Sequence, residues 1–274
     1  MSPSDLDFLG LLPTDDPMRW RLPVTDSLTV GPDGRRFLFG GAGLGAGLAA
    51  LQGALQRPPI WATAQYLDYA RAGDEVVFEV ESGAQGKTIS QARVRATVGA
   101  RQILNLTAAL GAREGQSDQW AAPLDVPEAE ACPPVAHWRG RSDGINAHFE
   151  MRLAHGRYPG SNMSAGRSDD GRLALWVRAK NGQRVGIAVL AILADFVPSG
   201  ISNALGSHAG GNSLDNTIRF GPLEATDWVL CDIAIDAVVS GIVHGGVRLF
   251  APSGRLLASA SQSLILRIHP PPAP

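Results

Sequence analysis

The longest apolar run in the chain is RVGIAVLAILADFVP, residues 184–198, in which Asp195 is the only charged residue after Arg184. A run of this length fits about three turns of helix better than a strand, and Pro198 predicts where the helix ends. A helix that is apolar on every side has to be enclosed by the rest of its domain. The run therefore predicts a buried central helix that carries one carboxylate.

The carboxylate of Asp195 falls at the end of this predicted helix. An apolar surround and the negative end of the helix dipole both disfavour the ionised form, so we expect a raised pKa. Such a group needs partners or serves chemistry. The pattern alone also allows Asp195 to face solvent at a frayed last turn, and both readings stay open at this point.

The first half of the chain predicts one helix followed by strands. A short hairpin is expected at 27–30 and 36–39, and a Gly/Ala-rich helix at 40–56 whose small side chains allow close packing against a sheet. Four segments with strand character and short glycine-containing turns follow, at 61–69, 75–81, 87–98 and 102–109. This order predicts an α+β fold with an antiparallel sheet wrapped over the helix.

The second half repeats this plan, which points to duplicated units. Strands are expected on both sides of the apolar helix, at 145–155, 173–180, 213–220, 228–238, 242–251 and 256–268. The predicted organisation is an N-terminal extension, two repeats separated by a polar, proline-rich linker, and a tail. The boundaries are 1–22, 23–111, 112–143, 144–269 and 270–274.

Composition excludes several classes of function. The 274 residues carry a net charge of −2 without a basic cluster, which argues against a nucleic-acid partner. No run of 18 apolar residues predicts a membrane span, and the N-terminus lacks the pattern of a secretory signal. Two widely separated cysteines, Cys132 and Cys231, fit reduced thiols in a cytoplasmic protein. The histidines show no ligand spacing, so no metal site is expected.

The two repeats differ in their polar residues. The second carries Ser213, Asp215 and Gln262 at positions where the first has alanines. Each of these residues alone has a structural reading, such as a strand-start cap or a turn hydrogen bond. One repeat has therefore kept polar groups that the other lacks.

Five segments in this order resemble the double-hotdog acyl-CoA thioesterases of the bacterial thioesterase II type. They are FLFGGAGLGAGLAA, GDEVVFEVE with the strands after it, LAILADFVP, NSLDN and GRLLASASQSLILR. The resemblance covers about residues 30–268 and rests on the order and spacing of all the segments together. It implies two tandem hotdogs, each a long central helix wrapped by an antiparallel sheet, with the two sheets joined edge to edge.

The resemblance also implies the reaction, which is hydrolysis of acyl-CoA to free acid and CoA without a cofactor or metal. The catalytic trio of the family falls on Asp195, Ser213 and Gln262, and the start of the first helix, Gly40, Gly41 and Ala42, is expected to bind substrate. A homodimer is expected because hotdog sheets present edges that invite pairing. The chain departs from the family at Asn216, where a histidine is usual, and at Ser263, where an acid is usual.

Two other functions remain open on the sequence. One is a non-catalytic acyl-thioester binding protein. The other is a hotdog hydratase that acts on enoyl thioesters with an Asp–His dyad, for which His208 is the nearest candidate after Asp195.

Overall fold

The computed structural model of the chain describes residues 5–135, 143–158, 166–180 and 182–269. The predicted tail and residues 136–142 of the predicted linker lie outside the described residues. The helices are α1 Asp5–Leu9, α2 Gly40–Leu55, α3 Ile187–Ala194 and α4 Pro198–Leu205. The strands are β1 Leu12–Pro13, β2 Arg19–Pro23, β3 Thr29–Val30, β4 Phe37–Leu38, β5 Pro59–Tyr66, β6 Glu75–Gln85, β7 Ile89–Val98, β8 Arg101–Gly111, β9 Phe149–His155, β10 Arg172–Ala179, β11 Ala209–Ser213, β12 Asp215–Phe220, β13 Trp228–Val239, β14 Ile242–Phe250 and β15 Leu256–Ile268.

Thirteen of the described strands form one antiparallel sheet. Its order is β1-β2-β6-β7-β8-β5-β12-β15-β14-β13-β10-β9, with β11 paired to β15. The predicted α+β layout, a large antiparallel sheet with few helices, is confirmed. The remaining pair, β3 and β4, forms the predicted short hairpin.

The sequence repeat is also a repeat of topology. The order β2-β6-β7-β8-β5 in the first half recurs as β10-β13-β14-β15-β12 in the second. The two halves join edge to edge where β5 pairs with β12. Thr63 and Thr217 face each other at this seam, and their hydroxyl oxygens lie 3.0 Å apart.

Helices α2 and α3 form the centre of the molecule. Helix α2 packs on β5–β8, while α3 packs on β12, β14 and β15, and the two helices lie against each other. A Cβ on Gly41 would stand 2.8 Å from the Ile192 Cα, and one on Gly45 would stand 3.4 Å from the Ala188 Cα. These glycines therefore permit close approach to α3, which the sequence pattern had not suggested. Gly47 lies close to the sheet as predicted, since a Cβ there would stand 3.2 Å from a Leu106 methyl carbon.

The second central helix is shorter than predicted. All eight residues of α3 are buried, but the helix ends before Asp195, and a turn at 195–197 separates it from α4. Pro198, expected to end the helix, instead occupies the first turn of α4, where its missing N–H costs no hydrogen bond. The predicted 213–220 strand is β12, which begins at Asp215, and Ser213 instead ends β11.

Residues 5–23 are more ordered than the predicted loop-like extension. Strand β2 pairs with β6 and adds an edge to the first half of the sheet, with Trp20 and Leu22 buried. The carboxylate of Asp5 accepts a hydrogen bond of 3.1 Å from the Ala188 N–H at the start of α3. Burial raises the pKa of Asp5, and the hydrogen bonds from the backbone of Ala188 and Ile187 partly oppose this rise.

The linker residues that the structure describes pack on the outer face of the second half. The indole N–H of Trp176 donates to the Pro127 carbonyl at 2.9 Å. Farther along, the Val135 N–H donates to the Met151 carbonyl, also at 2.9 Å, beside the outer strand β9. The linker therefore covers one edge of the large sheet, and the other edge is the two-residue strand β1.

One helical stretch, Ile187–Leu205, is long and apolar enough to pass a test for membrane spans, with a mean hydropathy of 1.6. The sequence had predicted no such span. Of the tested window, 83% is buried inside the molecule, as in the core helix of a globular protein. Length and composition are therefore weak evidence for a membrane segment here.

Candidate active site

The carboxylate of Asp195 is buried at the junction of the two halves. Asp195 is the residue that directly follows α3 and is 3% exposed, which excludes the solvent-facing reading. One oxygen, Oδ2, accepts a hydrogen bond of 2.7 Å from the Gly41 N–H at the start of α2. The first half thus supplies a helix N-terminus to an acid carried by the second.

The other oxygen, Oδ1, is where the three residues of the predicted trio meet. The Ser213 hydroxyl donates to it at 3.2 Å, and the Gln262 amide donates to it as well. The same amide nitrogen lies 3.4 Å from the Ser213 Oγ. The structure therefore brings together three residues that are separated by up to 67 positions in the sequence.

Local strand geometry places the two partners of Asp195. Ser213 ends β11, which pairs with β15, and Gln262 lies on β15 with 3% of its surface exposed. The residue opposite Gln262 on β14 is Gly245. Because side chains alternate across a sheet, the buried position turns the Gln262 amide toward the central helices.

Burial sets the acidity of this carboxyl group. It raises the pKa of Asp195 to about 6, against hydrogen bonds from Gln262, Gly41 and Ser213 that favour the ionised form. The predicted direction of the change agrees with this value. The N-terminus of α2 also favours the anion, which the sequence did not reveal.

The start of α2 differs from its predicted use. The Gly41 N–H is already bound to Asp195, and the Ala42 N–H donates to the Phe39 carbonyl at 3.0 Å. Within the described residues only Gly40 of these three keeps an N–H without an acceptor. The three backbone donors expected to meet substrate therefore reduce to one.

Two other polar residues near the site, Asp215 and Asn216, make no hydrogen bond to the trio among the described residues. Asp215 accepts a hydrogen bond of 2.9 Å from the Ser263 N–H, in agreement with its structural reading. Asn216 is fully buried, and neither polar atom of its side chain has a partner among the described residues. In that part of the chain Asp195 makes no hydrogen bond to a histidine, and no cluster of three or more acids, histidines or cysteines could hold a metal.

An apolar cavity of about 260 Å³ opens beside Asp195 and Ser213. It runs between the start of α2 and the sheet of the first half. The side chains and backbone that line it from this half are mainly apolar or aromatic and include Phe37, Leu38, Gly43, Tyr66, Phe78 and Leu104. Sequence reasoning had assigned no role to Tyr66, which ends the strand β5.

A second cavity, of about 420 Å³, adjoins the first and shares its wall at Phe37, Pro198 and Asn212. It is lined in addition by Arg267 and by Arg36, which is paired with Asp143 of the same lining at 2.7 Å, so its wall is more polar than that of the apolar chamber. The two cavities together can hold a molecule with one apolar and one polar end.

Comparison with family profiles gives a match over most of the chain. The N-terminal domain of acyl-CoA thioesterases matches residues 31–111, and the C-terminal domain matches residues 121–266. No curated protein matches significantly.

Solved structures give matches over nearly the whole chain. A protein of Novosphingobium aromaticivorans to which thioesterase activity is ascribed is 34% identical, with a TM-score of 0.83 over 94% of this chain and 98% of its own. An Alicyclobacillus acidocaldarius protein with a hotdog fold is 19% identical, with a TM-score of 0.79 and coverage of 98% and 100%. An acyl-CoA thioesterase II of Mycobacterium marinum is 18% identical, with a TM-score of 0.74 and coverage of 97% and 99%. The last two likenesses support the fold alone.

The class that follows is a hotdog-fold enzyme that hydrolyses thioesters. The chain belongs to the acyl-CoA thioesterase family, since both domains of that family match it. The resemblance to acyl-CoA thioesterases that the sequence motifs suggested is confirmed.

Proposed function

We propose that the chain hydrolyses acyl-CoA to a free carboxylic acid and CoA, with a water that Asp195, Ser213 and Gln262 hold and activate. The observation that carries this proposal is the meeting of a buried carboxylate, a hydroxyl and an amide at one end of an apolar cavity. A thioester carbonyl placed there would lie beside a base and its orienting groups.

In this proposal Asp195 is the general base. A pKa of about 6 leaves the carboxylate ionised at neutral pH and still basic enough to take a proton as the water attacks. The Gln262 Oε1 is buried and has no partner among the described residues, so it can accept the second proton of the water in a hydrogen bond. The Ser213 hydroxyl makes a further hydrogen bond to the water and so fixes its orientation.

The proton that Asp195 takes from the water is also used in the last step of the reaction. Bond formation between the water oxygen and the carbonyl carbon gives a tetrahedral intermediate, and its collapse breaks the carbon–sulfur bond. The protonated Asp195 then gives its proton to the departing sulfur, so the carboxylate returns to its starting state. No covalent bond between enzyme and substrate is part of this scheme.

The cavities suggest where the two ends of the substrate lie. We place the acyl chain in the apolar chamber between α2 and the first half of the sheet, among Gly43, Phe78 and Leu104. The polar arm of CoA would leave through the adjoining cavity, where the Arg267 guanidinium suits phosphate oxygens, while Arg36 in the same wall is already paired with Asp143.

Release of free thiol from a panel of acyl-CoA chain lengths, followed with a thiol reagent, tests this function. A thioesterase releases one thiol per molecule of acid formed. The two alternatives behave differently, because a hydratase consumes enoyl absorbance without releasing thiol and a binding protein does neither. Absence of thiol release across the panel would contradict the proposal.

The remaining features complete the proposal. We infer two tandem hotdogs in one chain that needs no cofactor, forms a homodimer and works in the cytoplasm. Support for the tandem arrangement comes from the recurring strand order and the edge-to-edge seam.

A further inference from the structure

Tyr66 is the last residue of β5 and carries a buried hydroxyl that the proposed mechanism does not use. Its Oη has no hydrogen-bond partner among the described residues. A buried polar group without a partner destabilises the folded protein. A phenol held at this cost in the wall of a cavity is a candidate for contact with a ligand.

A backbone hydrogen bond and the position of Gly40 place this phenol near Asp195 and Ser213. The Tyr66 N–H donates to the Leu214 carbonyl at 3.0 Å, which ties the tyrosine to the residue after Ser213. A Cβ on Gly40 would stand 2.7 Å from the Asp195 Oδ2 and 3.1 Å from the Tyr66 Cζ. The phenol ring and the carboxylate therefore both stand close to Gly40, and all three residues line the apolar cavity in which the acyl group is placed.

The phenol keeps its proton in this environment. Burial, together with the negative charges of Asp195 and Asp215, raises the pKa of Tyr66 well above its usual range. Its hydroxyl is therefore a neutral donor at every pH at which Asp195 can act as a base. Asp195 is therefore ionised and can accept a proton, while Tyr66 is neutral and can donate a hydrogen bond to an oxyanion.

We propose that Tyr66 is a catalytic residue whose hydroxyl donates a hydrogen bond to the thioester carbonyl oxygen as negative charge develops there. The proposal rests on the thioesterase function and adds to it the group that receives the oxyanion. Gly40, whose N–H has no acceptor among the described residues, lies beside Tyr66 and supplies a second donor. Tyr66 keeps its proton throughout, since the carbonyl π pair moves onto oxygen and returns when the carbon–sulfur bond breaks.

Tyr66→Phe tests the proposal because it removes only the hydroxyl. Loss of one preorganised donor should lower kcat by roughly 10²–10³ with little change in KM. The melting temperature should stay equal or rise, since the variant removes an unsatisfied buried group. Thr63→Val is the matched control, because it deletes a hydroxyl from the same strand and breaks a seam contact of 3.0 Å. It should keep the wild-type kcat.

A binding measurement separates the role of the hydroxyl from any effect on folding. A ketone analogue of acyl-CoA keeps the carbonyl oxygen, whereas a thioether analogue lacks it, and neither is hydrolysed. Tyr66→Phe should weaken binding of the ketone about tenfold and leave binding of the thioether unchanged. Equal affinities for both analogues in variant and wild type would overturn the proposal.

The kinetic outcomes are equally decisive. A Tyr66→Phe variant with the wild-type kcat, or with an effect on KM alone, would remove Tyr66 from the chemistry while the thioesterase function stood. Failure of the wild-type protein to release thiol would instead contradict the function itself.

Discussion

Replacing Asp195 by Asn tests the proposed base directly, because the amide keeps the shape of the carboxylate and removes its charge and basicity. A positioned general base contributes typically 10²–10⁴-fold to the rate. We expect kcat to fall by about 10³, with little change in KM. The Asn side-chain oxygen can still accept the hydrogen bond from the Gly41 N–H that the carboxylate accepts at 2.7 Å.

The same substitution should raise the free energy of unfolding at neutral pH. Burial raises the pKa of Asp195 from 3.8 to about 6, so the folded protein binds this proton more tightly than the unfolded chain does. A difference of about two pH units corresponds to roughly 3 kcal/mol of destabilisation, which is fully present above pH 6 and absent below pH 3.8. Removal of the charge should raise the melting temperature by several degrees in a chain of this size.

Two measurements on one purified variant follow both effects. Thiol release between pH 4.5 and pH 8 should show that wild-type kcat/KM rises with pH through a midpoint near the pKa of about 6, because only the ionised Asp195 is a base. Thermal melts at pH 7.5 and pH 4.5 should show that the stability gain of Asp195→Asn shrinks at the lower pH, where the wild-type carboxyl group is protonated.

Asp232→Asn is the control for loss of a buried carboxylate. Asp232 is 4% exposed on β13 and lies 2.5 Å from the Arg172 guanidinium. Its replacement should lower the melting temperature, since it leaves Arg172 without its charged partner, and should leave kcat unchanged. If Asp195→Asn behaved like this control, fully active and less stable, Asp195 would be a structural residue.

Three further predictions address the water, the acyl chamber and the assembly. Gln262→Ala should lower kcat by roughly 10²–10³ at constant KM, and an unaltered kcat would remove the glutamine from the mechanism. A Cβ on Gly43 would meet only the Leu38 Cδ2, at 3.6 Å, so Gly43→Val should fold, narrow the chamber and slow long acyl chains more than short ones; an unchanged chain-length profile would place the acyl group elsewhere. Sedimentation at micromolar concentration should show a dimer, and a single 28.8 kDa species would exclude it.

Much of the fold could be predicted because its signals are local. Alternating strands and their glycine turns predicted β5–β8 and β12–β15 to within a few residues, and similar endings of the two halves revealed the repeat. The strand β2 was missed although RWRLP alternates, with Trp20 and Leu22 buried and Arg19 and Arg21 exposed. Its partner strand lies more than 50 residues away, and a single short strand with flanking prolines gives no signal of pairing.

The break after α3 could not be predicted from an apolar run. Hydrophobicity continues through Phe196 and Val197, both buried, while the backbone turns at Asp195. Pro198 permits two outcomes, the end of one helix or the first turn of the next, and tertiary packing decides between them. Asp195 is therefore the C-cap residue of α3, and the turn directs its carboxylate toward the start of α2.

Some residues of the candidate site could likewise be identified from local sequence signals, while others depend on tertiary packing. Asp195 was identifiable because a charge inside an apolar run needs an explanation, and Gln262 because its strand is otherwise Ala, Ser and Leu. The engagement of the Gly41 N–H and the exposure of Tyr66 to the cavity depend on how α2 lies against α3 and on the seam between β5 and β12. Such contacts join residues from opposite halves, and no local pattern encodes them.

The asymmetry of the two repeats has a physical reason in this arrangement. The second half supplies Asp195, Ser213 and Gln262, while the first supplies the N-terminus of α2 and most of the apolar cavity. The N-terminus of α3, which the second half could offer to a site in the first, is instead capped by the Asp5 carboxylate at 3.1 Å. A buried base needs one helix start and one chamber, and a second such carboxylate would cost the fold roughly another 3 kcal/mol. Fusion of the halves fixes which one carries the acid and which one carries the chamber, so the first repeat can lose its polar residues without loss of the site.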